Sequence, residues 1–235
     1  ATLFPSSVWA KLMRRSLMEQ PDLLQQPLDG RGLPALRNAI SKELRRSRGM
    51  DVRPAQILIG SGAEYFYNIL IQLLGRTRRY GLESPGHRKI AAVCRANDAA
   101  LIPLSLDASG IALEPLYASG ADVLHLSPSH QYPTGIVTPV RRRQALLQWA
   151  QAADRYLIED DYDAEFRFSG RPIPTMQSLD QTGCVIYLNT FSKTLSPALR
   201  ISYLVLPPAL MERYQAQLGF YSCTVPSLEQ QTLAY

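Results

Sequence analysis

The sequence predicts an α/β fold with a mostly parallel β-sheet that is buried on both faces. Short, almost wholly apolar runs recur along the chain, as in strands covered on both sides. The segments between them often have helical periodicity, and helical crossovers connect parallel neighbours. With 235 residues, of which 46% are hydrophobic and 19% charged, the chain has enough apolar material for a sizeable core.

The individual elements follow from local patterns. A helix is predicted over residues 36–47, with Gly49 as its stop signal. A second follows the turn Gly60-Ser61-Gly62 at 63–74, and two more are predicted at 87–97 and 140–154. The strands are predicted at residues 57–59, 80–83, 100–104, 123–126, 156–159, 185–188 and 201–206. Residues 227–235 form an amphipathic stretch without a cap, so we expect further protein after it or a truncated chain.

Composition argues against several classes of protein. No apolar run approaches eighteen residues, and the first residues lack a signal-peptide pattern, so a cytoplasmic protein without a membrane span is expected. Three cysteines without a CxxC pair and three histidines suggest neither disulfides nor a metal site. The net charge of +5 includes small arginine clusters, which we interpret as solvated helix faces and helix ends rather than a nucleic-acid surface.

A lysine directly after a predicted strand is the first candidate for chemistry. Lys193 follows the strand at 185–188, at the sheet edge where ligands of α/β proteins bind. Thr190 and Ser192 supply hydroxyls, and Arg200 supplies a guanidinium, which together suit a phosphate group. Burial lowers the pKa of a lysine and frees its amine for imine chemistry, whereas a lone lysine is usually an exposed loop residue.

Four further segments lie at the ends of predicted strands. Residues 158–163 read IEDDYD, whose adjacent acids either form a solvated turn or need a buried cation or protonated ring. The turn before Ala63 and Glu64 is either a plain tight turn or a set of backbone N–H groups for an anion. The loops ESPGH and SPSHQYPTG, which carry His87 and Tyr132, either present fixed polar groups or are ordinary connections.

Together these segments resemble fold-type I pyridoxal 5′-phosphate (PLP) proteins of the aminotransferase class I and II family. The order of the motifs agrees, Asp160 precedes Lys193 by 33 residues, and the run YLNTFSKTLSPALRISYLVLP is highly specific. The resemblance implies a three-layer α/β/α fold, aspartate aminotransferase-like, with residues 1–235 forming its large, PLP-binding domain.

The resemblance also implies roles for single residues. Lys193 would carry the cofactor as an internal aldimine, and Asp160 would pair with its pyridinium nitrogen. His87 would stack on the ring, and Tyr162 would hydrogen-bond its phenolic oxygen. The phosphate would be bound by the following residues: Gly62, Ala63, Glu64, Thr190, Ser192 and Arg200.

One departure from the usual pattern indicates a subgroup. The asparagine of the family's N-P-T-G motif, which contacts the phenolic oxygen, is replaced by Tyr132 in QYPTG. The strings SPSHQYPTG and IEDDYDAEFRF are similar to those of MocR-type regulators in the GntR family. Those proteins join a winged-helix DNA-binding domain to an aminotransferase-like domain, and we expect that neither the winged helix nor the small C-terminal domain lies within residues 1–235.

Three functions are compatible with these residues. The first is an effector-sensing domain that binds an amine or amino acid on PLP, works as a homodimer, and contacts DNA only through another domain. The second is an active aminotransferase, in which Lys193 also moves a proton. The third is an α/β nucleotide binder that uses GSGAE, but it leaves Lys193, Asp160 and Arg200 unexplained. Tyr132 and the subgroup strings favour the first.

Overall fold

The computed structural model describes residues 4–162, 173–192 and 195–235. Within these residues an eight-stranded sheet has the order β1-β8-β7-β6-β5-β2-β3-β4. Its strands are β1 (Ile57–Gly60), β2 (Arg79–Ser84), β3 (Ala100–Asp107), β4 (Gly110–Ile111), β5 (Val123–Leu126), β6 (Tyr156–Asp160), β7 (Val185–Thr190) and β8 (Ser202–Val205).

Strand direction decides where the ends of these strands meet. The strands from β7 through β6, β5 and β2 to β3 pair in parallel. Strand β8 runs antiparallel to both β1 and β7, and its first residue, Ser202, lies opposite Gly60 and Thr190. The start of β8 therefore shares one sheet edge with the carboxyl ends of β1 and β7, and through β7 with those of the parallel strands.

Helices cover both faces of the sheet in the described part of the chain. They are α1 (Ser6–Glu19), α2 (Pro34–Arg48), α3 (Ala63–Leu74), α4 (Arg88–Ala96), α5 (Leu113–Ser119), α6 (Val140–Gln151), α7 (Met176–Leu179), α8 (Pro208–Leu218) and α9 (Ser227–Ala234), with short 3-10 helices at Pro21–Leu24 and Pro54–Gln56. None of the helices in the described ranges is long and apolar enough to cross a bilayer.

The core is divided by the sheet into separate apolar clusters. Helices α3, α4 and α8 pack on one face against residues such as Ile158 and Leu188. Helices α5 and α6 pack on the other face against Leu157 and Val185. Because successive strand residues point to opposite faces, neighbours in β6 and β7 enter different clusters. This arrangement confirms the predicted three-layer α/β/α fold with a mostly parallel sheet.

Two arginines correct the prediction that the arginine clusters are solvated. Arg143 of α6 has no exposed surface, and the side chain of Arg48, the last residue of α2, is only 6% exposed. Arg143 donates hydrogen bonds to the carbonyl oxygens of Thr138 and Pro128 at 2.9 and 2.7 Å. The clusters contain buried structural cations because the fold places carboxylates beside them.

Candidate functional site

The predicted site residues within the described ranges lie at one edge of the sheet. His87 follows β2, Asp160 ends β6, and Thr190 ends β7. Gly62 follows β1, and Arg200 immediately precedes β8, whose antiparallel direction brings it back to the same edge. Lys193 lies outside the described residues, three positions after the end of β7.

Asp160 is held by two aromatic side chains on the α3 face of the sheet. Its carboxylate is 6% exposed, accepts a hydrogen bond from the Tyr67 hydroxyl at 3.3 Å, and lies 3.5 Å from Nε2 of His125. Burial, followed by the negative charge of Asp160, raises the pKa of Tyr67 well above 10, so this phenol stays a hydrogen-bond donor. A buried carboxylate with two such donors can accept a further N–H from a cationic ring.

The neighbouring acids of β6 point to the opposite face. Glu159 accepts the first two backbone N–H groups of α7, both at 2.9 Å, and lies 3.6 Å from Arg143. Asp161 accepts a hydrogen bond from the Tyr187 hydroxyl at 2.8 Å and bonds to Arg48. All three acids are buried, so the interpretation of this segment as a solvated turn is wrong. Buried cations and N–H groups offset the charge repulsion instead.

His87 and Tyr132 stack on each other beside Asp160. Their ring centroids are 4.5 Å apart with an interplanar angle of 14°. The Tyr162 ring meets His87 edge-on at 5.6 Å, and His125, which contacts Asp160, meets it at 6.5 Å. The Tyr132 side chain is 48% exposed, so this pair lies at the solvent-facing end of the site. The structure thus gathers these predicted residues, while their roles toward a cofactor ring stay predictions.

Glu83, which the sequence did not single out, fixes the loop that carries Tyr132. Its carboxylate accepts hydrogen bonds from the backbone N–H of Ser127 at 3.1 Å and from Nε2 of Gln131 at 3.4 Å. Gln131 also donates to the carbonyl oxygen of Pro85 at 2.9 Å. Burial raises the pKa of Glu83 to about 7. The loop after β5 is therefore attached to the loop after β2.

The start of α3 and Arg200 form the part of the site where an anion is predicted to bind. Gly62, the N-cap of α3, has a φ of +89°, and a Cβ placed on it would lie 2.2 Å from Nη2 of Arg200. Only glycine therefore lets the guanidinium lie against this turn. The same Nη2 donates to the Glu64 carboxylate at 2.9 Å. The Ser192 Oγ is buried and makes no hydrogen bond to any residue in the described ranges.

The hydroxyl of Thr190 makes hydrogen bonds within the connection between β7 and β8. Its hydroxyl oxygen accepts the backbone N–H of Ser192 at 3.1 Å and lies 2.9 Å from the hydroxyl of Ser202. Thr190 therefore positions Ser192, and any contact of its own with a phosphate stays a prediction.

These residues fit the phosphate and ring of PLP. The glycine turn, the guanidinium of Arg200 and the unpaired Ser192 hydroxyl suit an anionic group. Asp160 is buried at the end of β6, the strand that pairs with β7, and its carboxylate suits a protonated ring nitrogen. The two chemistries lie at one edge of the sheet, as a small ligand with one anionic and one cationic end requires.

Some site residues gave weaker sequence signals. His125 interrupts the apolar strand VLHL, and its place two residues before the loop at Ser127 was the available signal. Tyr67 lies one helical turn after Glu64, so it shares a face of α3 with the anion site. Neither signal names a partner, because the contact with Asp160 joins residues that are far apart in the chain.

Comparisons with known proteins place the chain in a family. The family model described as aminotransferase class I and II matches residues 2–234. The uncharacterized HTH-type transcriptional regulator YhdI of Bacillus subtilis is 40% identical over 233 residues, which are 99% of this chain and 50% of that protein. The probable rhizopine catabolism regulatory protein MocR of Rhizobium meliloti is 36% identical over 213 residues, which are 90% of this chain and 43% of that protein.

Solved structures agree with this assignment. Pyrococcus horikoshii kynurenine aminotransferase, solved with PMP, has a TM-score of 0.86 and 26% identity, covering 98% of this chain and 59% of that one. LysN, the α-aminoadipate aminotransferase of Thermus thermophilus, has a TM-score of 0.85 and 28% identity, covering 99% and 60% of the two chains. The chain spans about half the length of the curated relatives it matches. It therefore belongs to the aminotransferase class I and II family, with the fold of its PLP enzymes, and within it is similar to MocR-type regulators of the GntR family.

Proposed function

We propose that this chain is the PLP-binding, effector-sensing domain of a MocR-type transcriptional regulator. The observation that carries the proposal is its similarity to HTH-type regulators along nearly its whole length, from 33 to 40% identity in four of them. One of the four is the pyridoxine biosynthesis regulator PdxR of Corynebacterium glutamicum. In the full-length regulator, a winged-helix domain contacts DNA, and the protein works in the cytoplasm as a homodimer.

The residues at the sheet edge divide the task of holding the cofactor. Lys193 binds it covalently, and Asp160 accepts a hydrogen bond from its ring nitrogen and keeps that nitrogen protonated. Arg200, Ser192 and the N–H groups at the start of α3 bind its phosphate. PLP, when bound, supplies an aldehyde carbon that reacts reversibly with primary amines. The ligand class that follows is an amine or an amino acid.

Sensing requires that the ligand stabilise one conformation over another. The stacked pair of His87 and Tyr132 lies at the exposed end of the site. His87 lies on the loop that follows β2, and Tyr132 lies on the loop that follows β5. An incoming amine meets these two rings, so they are the part of the site whose arrangement can differ between the free and the bound state.

An aminotransferase is the second candidate function. Aromatic-amino-acid aminotransferase 1 of Thermococcus litoralis is 25% identical over 226 residues, which are 90% of this chain and 53% of that protein. In this function Lys193 also moves the Cα proton of the substrate as a general base. The same side chains serve both functions, so only the fate of the amine distinguishes them.

The first experiment tests PLP binding itself. The full chain is titrated with PLP, and both the visible absorbance of the bound cofactor and the dissociation constant are recorded. Lys193→Ala is expected to lose the absorbance band, and Asp160→Asn to weaken binding by about tenfold or more, which is about 1.4 kcal/mol. The matched control is Asp98→Asn, which changes an exposed aspartate and leaves the affinity unchanged.

The result that would overturn this proposal is equal PLP binding by Asp160→Asn and the parent protein. The sensor and the enzyme are then separated by supplying an amino donor and a 2-oxo acid to the regulator that contains this chain. A sensor binds the donor, seen as a spectral change, without sustained turnover, whereas steady formation of a new amino acid would establish the aminotransferase.

A further inference from the structure

Glu64 places a negative charge inside the anion-binding part of the site. It lies in the first turn of α3, two residues after Gly62. Its Oε2 accepts a hydrogen bond from Nη2 of Arg200 at 2.9 Å, and its Oε1 lies 3.4 Å from Nζ of Lys89. A guanidinium beside a helix N-terminus is a strong partner for an anion, and here a side chain of the protein uses it.

One group that holds this carboxylate is also expected to hold the cofactor phosphate. The guanidinium of Arg200 is hydrogen-bonded to the carboxylate. The Ser192 Oγ, another expected phosphate donor, is buried and makes no hydrogen bond to the residues that the structure describes. The expected donors are thus unequally used: the guanidinium serves the Glu64 carboxylate, and the hydroxyl serves none of the described residues.

Arg200 lies close to the turn before α3. Its backbone has a φ of +52°, which is uncommon outside glycine, and its guanidinium lies where a Cβ of Gly62 would be. The side chains of Arg200 and Glu64 are 48% and 38% exposed, so the pair can separate when another anion arrives. Lys89, whose side chain is 83% exposed, offers the carboxylate a second cation on α4.

We propose that Glu64 competes with the phosphate of PLP for Arg200 at the start of α3, and thereby lowers the affinity of the chain for phosphorylated cofactor. The inference rests on the proposed function. On binding, the phosphate displaces the carboxylate toward Lys89, an exchange of ion pairs in which Glu64, Arg200 and the phosphate keep all their covalent bonds. A cofactor held against such a competitor exchanges more readily than one in a site without it. Glu64 thus sets how strongly the protein responds to the concentration of PLP.

The test compares Glu64→Gln with the parent chain, using two probes. The glutamine keeps the size of the side chain but removes its charge. Equilibrium dialysis with PLP is expected to show binding about tenfold tighter or more in the variant, because a competing anion and its repulsion of the phosphate are removed. Dialysis with pyridoxal, which has the aldehyde but no phosphate, is expected to give the same affinity in both proteins.

Glu114→Gln is the matched control, because Glu114, like Glu64, lies in the first turn of a helix, here α5, and its side chain is exposed. It changes the net charge equally and is expected to leave the affinity for PLP unchanged. Glu64→Ala is a second variant with the same expected direction, and thermal unfolding verifies that each variant is folded.

The inference is overturned if Glu64→Gln binds PLP no more tightly than the parent, or if pyridoxal gains as much affinity as PLP. It is also overturned if Glu114→Gln reproduces the gain. Absence of PLP binding in the parent and in both Glu64 variants would overturn the proposed function together with this inference. If the two Glu64 variants bind PLP and the parent does not, the inference is supported, because the Glu64 carboxylate then prevents PLP binding altogether.

Discussion

At the end of β6, adjacent carboxylates on the two faces of the sheet have different kinds of partner. On the α6 face, Glu159 and Asp161 are paired with Arg143 and Arg48. On the α3 face, Asp160 has a phenol and a histidine at 3.3 and 3.5 Å. All three acids are buried; Glu159 and Asp160 end β6, and Asp161 follows it directly.

The difference separates a structural task from a proposed ligand-binding one. A buried charge is costly unless a counter-charge and hydrogen bonds surround it. Glu159 and Asp161 each have an arginine and hydrogen-bond donors. Asp160 has partners that donate weakly, and we expect it to gain most from a cationic group that arrives with a ligand. Strand alternation thus gives consecutive carboxylates separate partners, which is what the proposed division between fold and ligand requires.

Breaking the structural face has the largest expected effect. Arg143→Met leaves Glu159 buried beside no guanidinium and removes one hydrogen bond from each of three carbonyl oxygens, those of Thr138, Pro128 and Pro174. We expect a loss of about 3–5 kcal/mol in the free energy of unfolding, measured by urea denaturation. Arg141→Met, an exposed position of the same helix, is the control and is expected to change stability by less than about 0.5 kcal/mol.

A loss below about 1 kcal/mol for Arg143→Met would contradict the view that this arginine neutralises a buried carboxylate. It would mean that the two N–H groups at the start of α7, which also bind Glu159, are enough to hold the charge.

Much of the sheet could be predicted because its strands are local patterns. Apolar runs between glycines and prolines located β5 at the residues observed, and the turn after β1 located the start of α3. Helix α1 was not predicted, because it is stabilised by residues far along the chain. Its Ser16 lies 3.5 Å from Thr232, and its Glu19 accepts a hydrogen bond from Tyr235 at 2.9 Å.

The candidate site was predictable where a residue follows a strand and less so where it acts through another residue. Asp160 and Arg200 have recognisable neighbours in the sequence, and the fold brings them to one edge. Arg143 looked like part of a solvated cluster because its partner Glu159 becomes its neighbour only after folding. Glu83 was predicted only as the end of a strand for the same reason, since Ser127 and Gln131 reach it from another strand end.

Glu83 sharpens the comparison because its buried carboxyl is hydrogen-bonded by amide N–H groups rather than by a guanidinium. Its pKa is raised from 4.5 to about 7, with burial as the main cause. A raised pKa stabilises the folded protein below pH 4.5, and this contribution is lost as the pH rises through 7. The full loss corresponds to about 3 kcal/mol.

The test measures the free energy of unfolding of the parent and of Glu83→Gln at pH 5 and pH 8. The variant keeps an oxygen that accepts the Ser127 N–H but cannot ionise, so it should lose about 3 kcal/mol less than the parent on going to the higher pH. Other titrating groups act in both proteins and cancel in the difference. Parallel pH profiles for the two proteins would show that Glu83 does not carry this change.

The smallest expected effects come from two tyrosines that reach the acids of β6 from opposite faces. Tyr187→Phe removes a hydrogen bond of 2.8 Å to Asp161, whose other partner is Arg48, and is expected to cost about 1.5–3 kcal/mol of unfolding free energy. Tyr67→Phe removes a longer bond of 3.3 Å to Asp160 and is expected to cost about 1 kcal/mol. In PLP titrations the order reverses: Tyr67→Phe alone changes the affinity, because its hydroxyl orients the carboxylate that faces the ligand. If Tyr187→Phe alters PLP binding as much as Tyr67→Phe does, the two faces are not independent. The charge of Asp161 would then influence the affinity for PLP from the opposite face of the sheet.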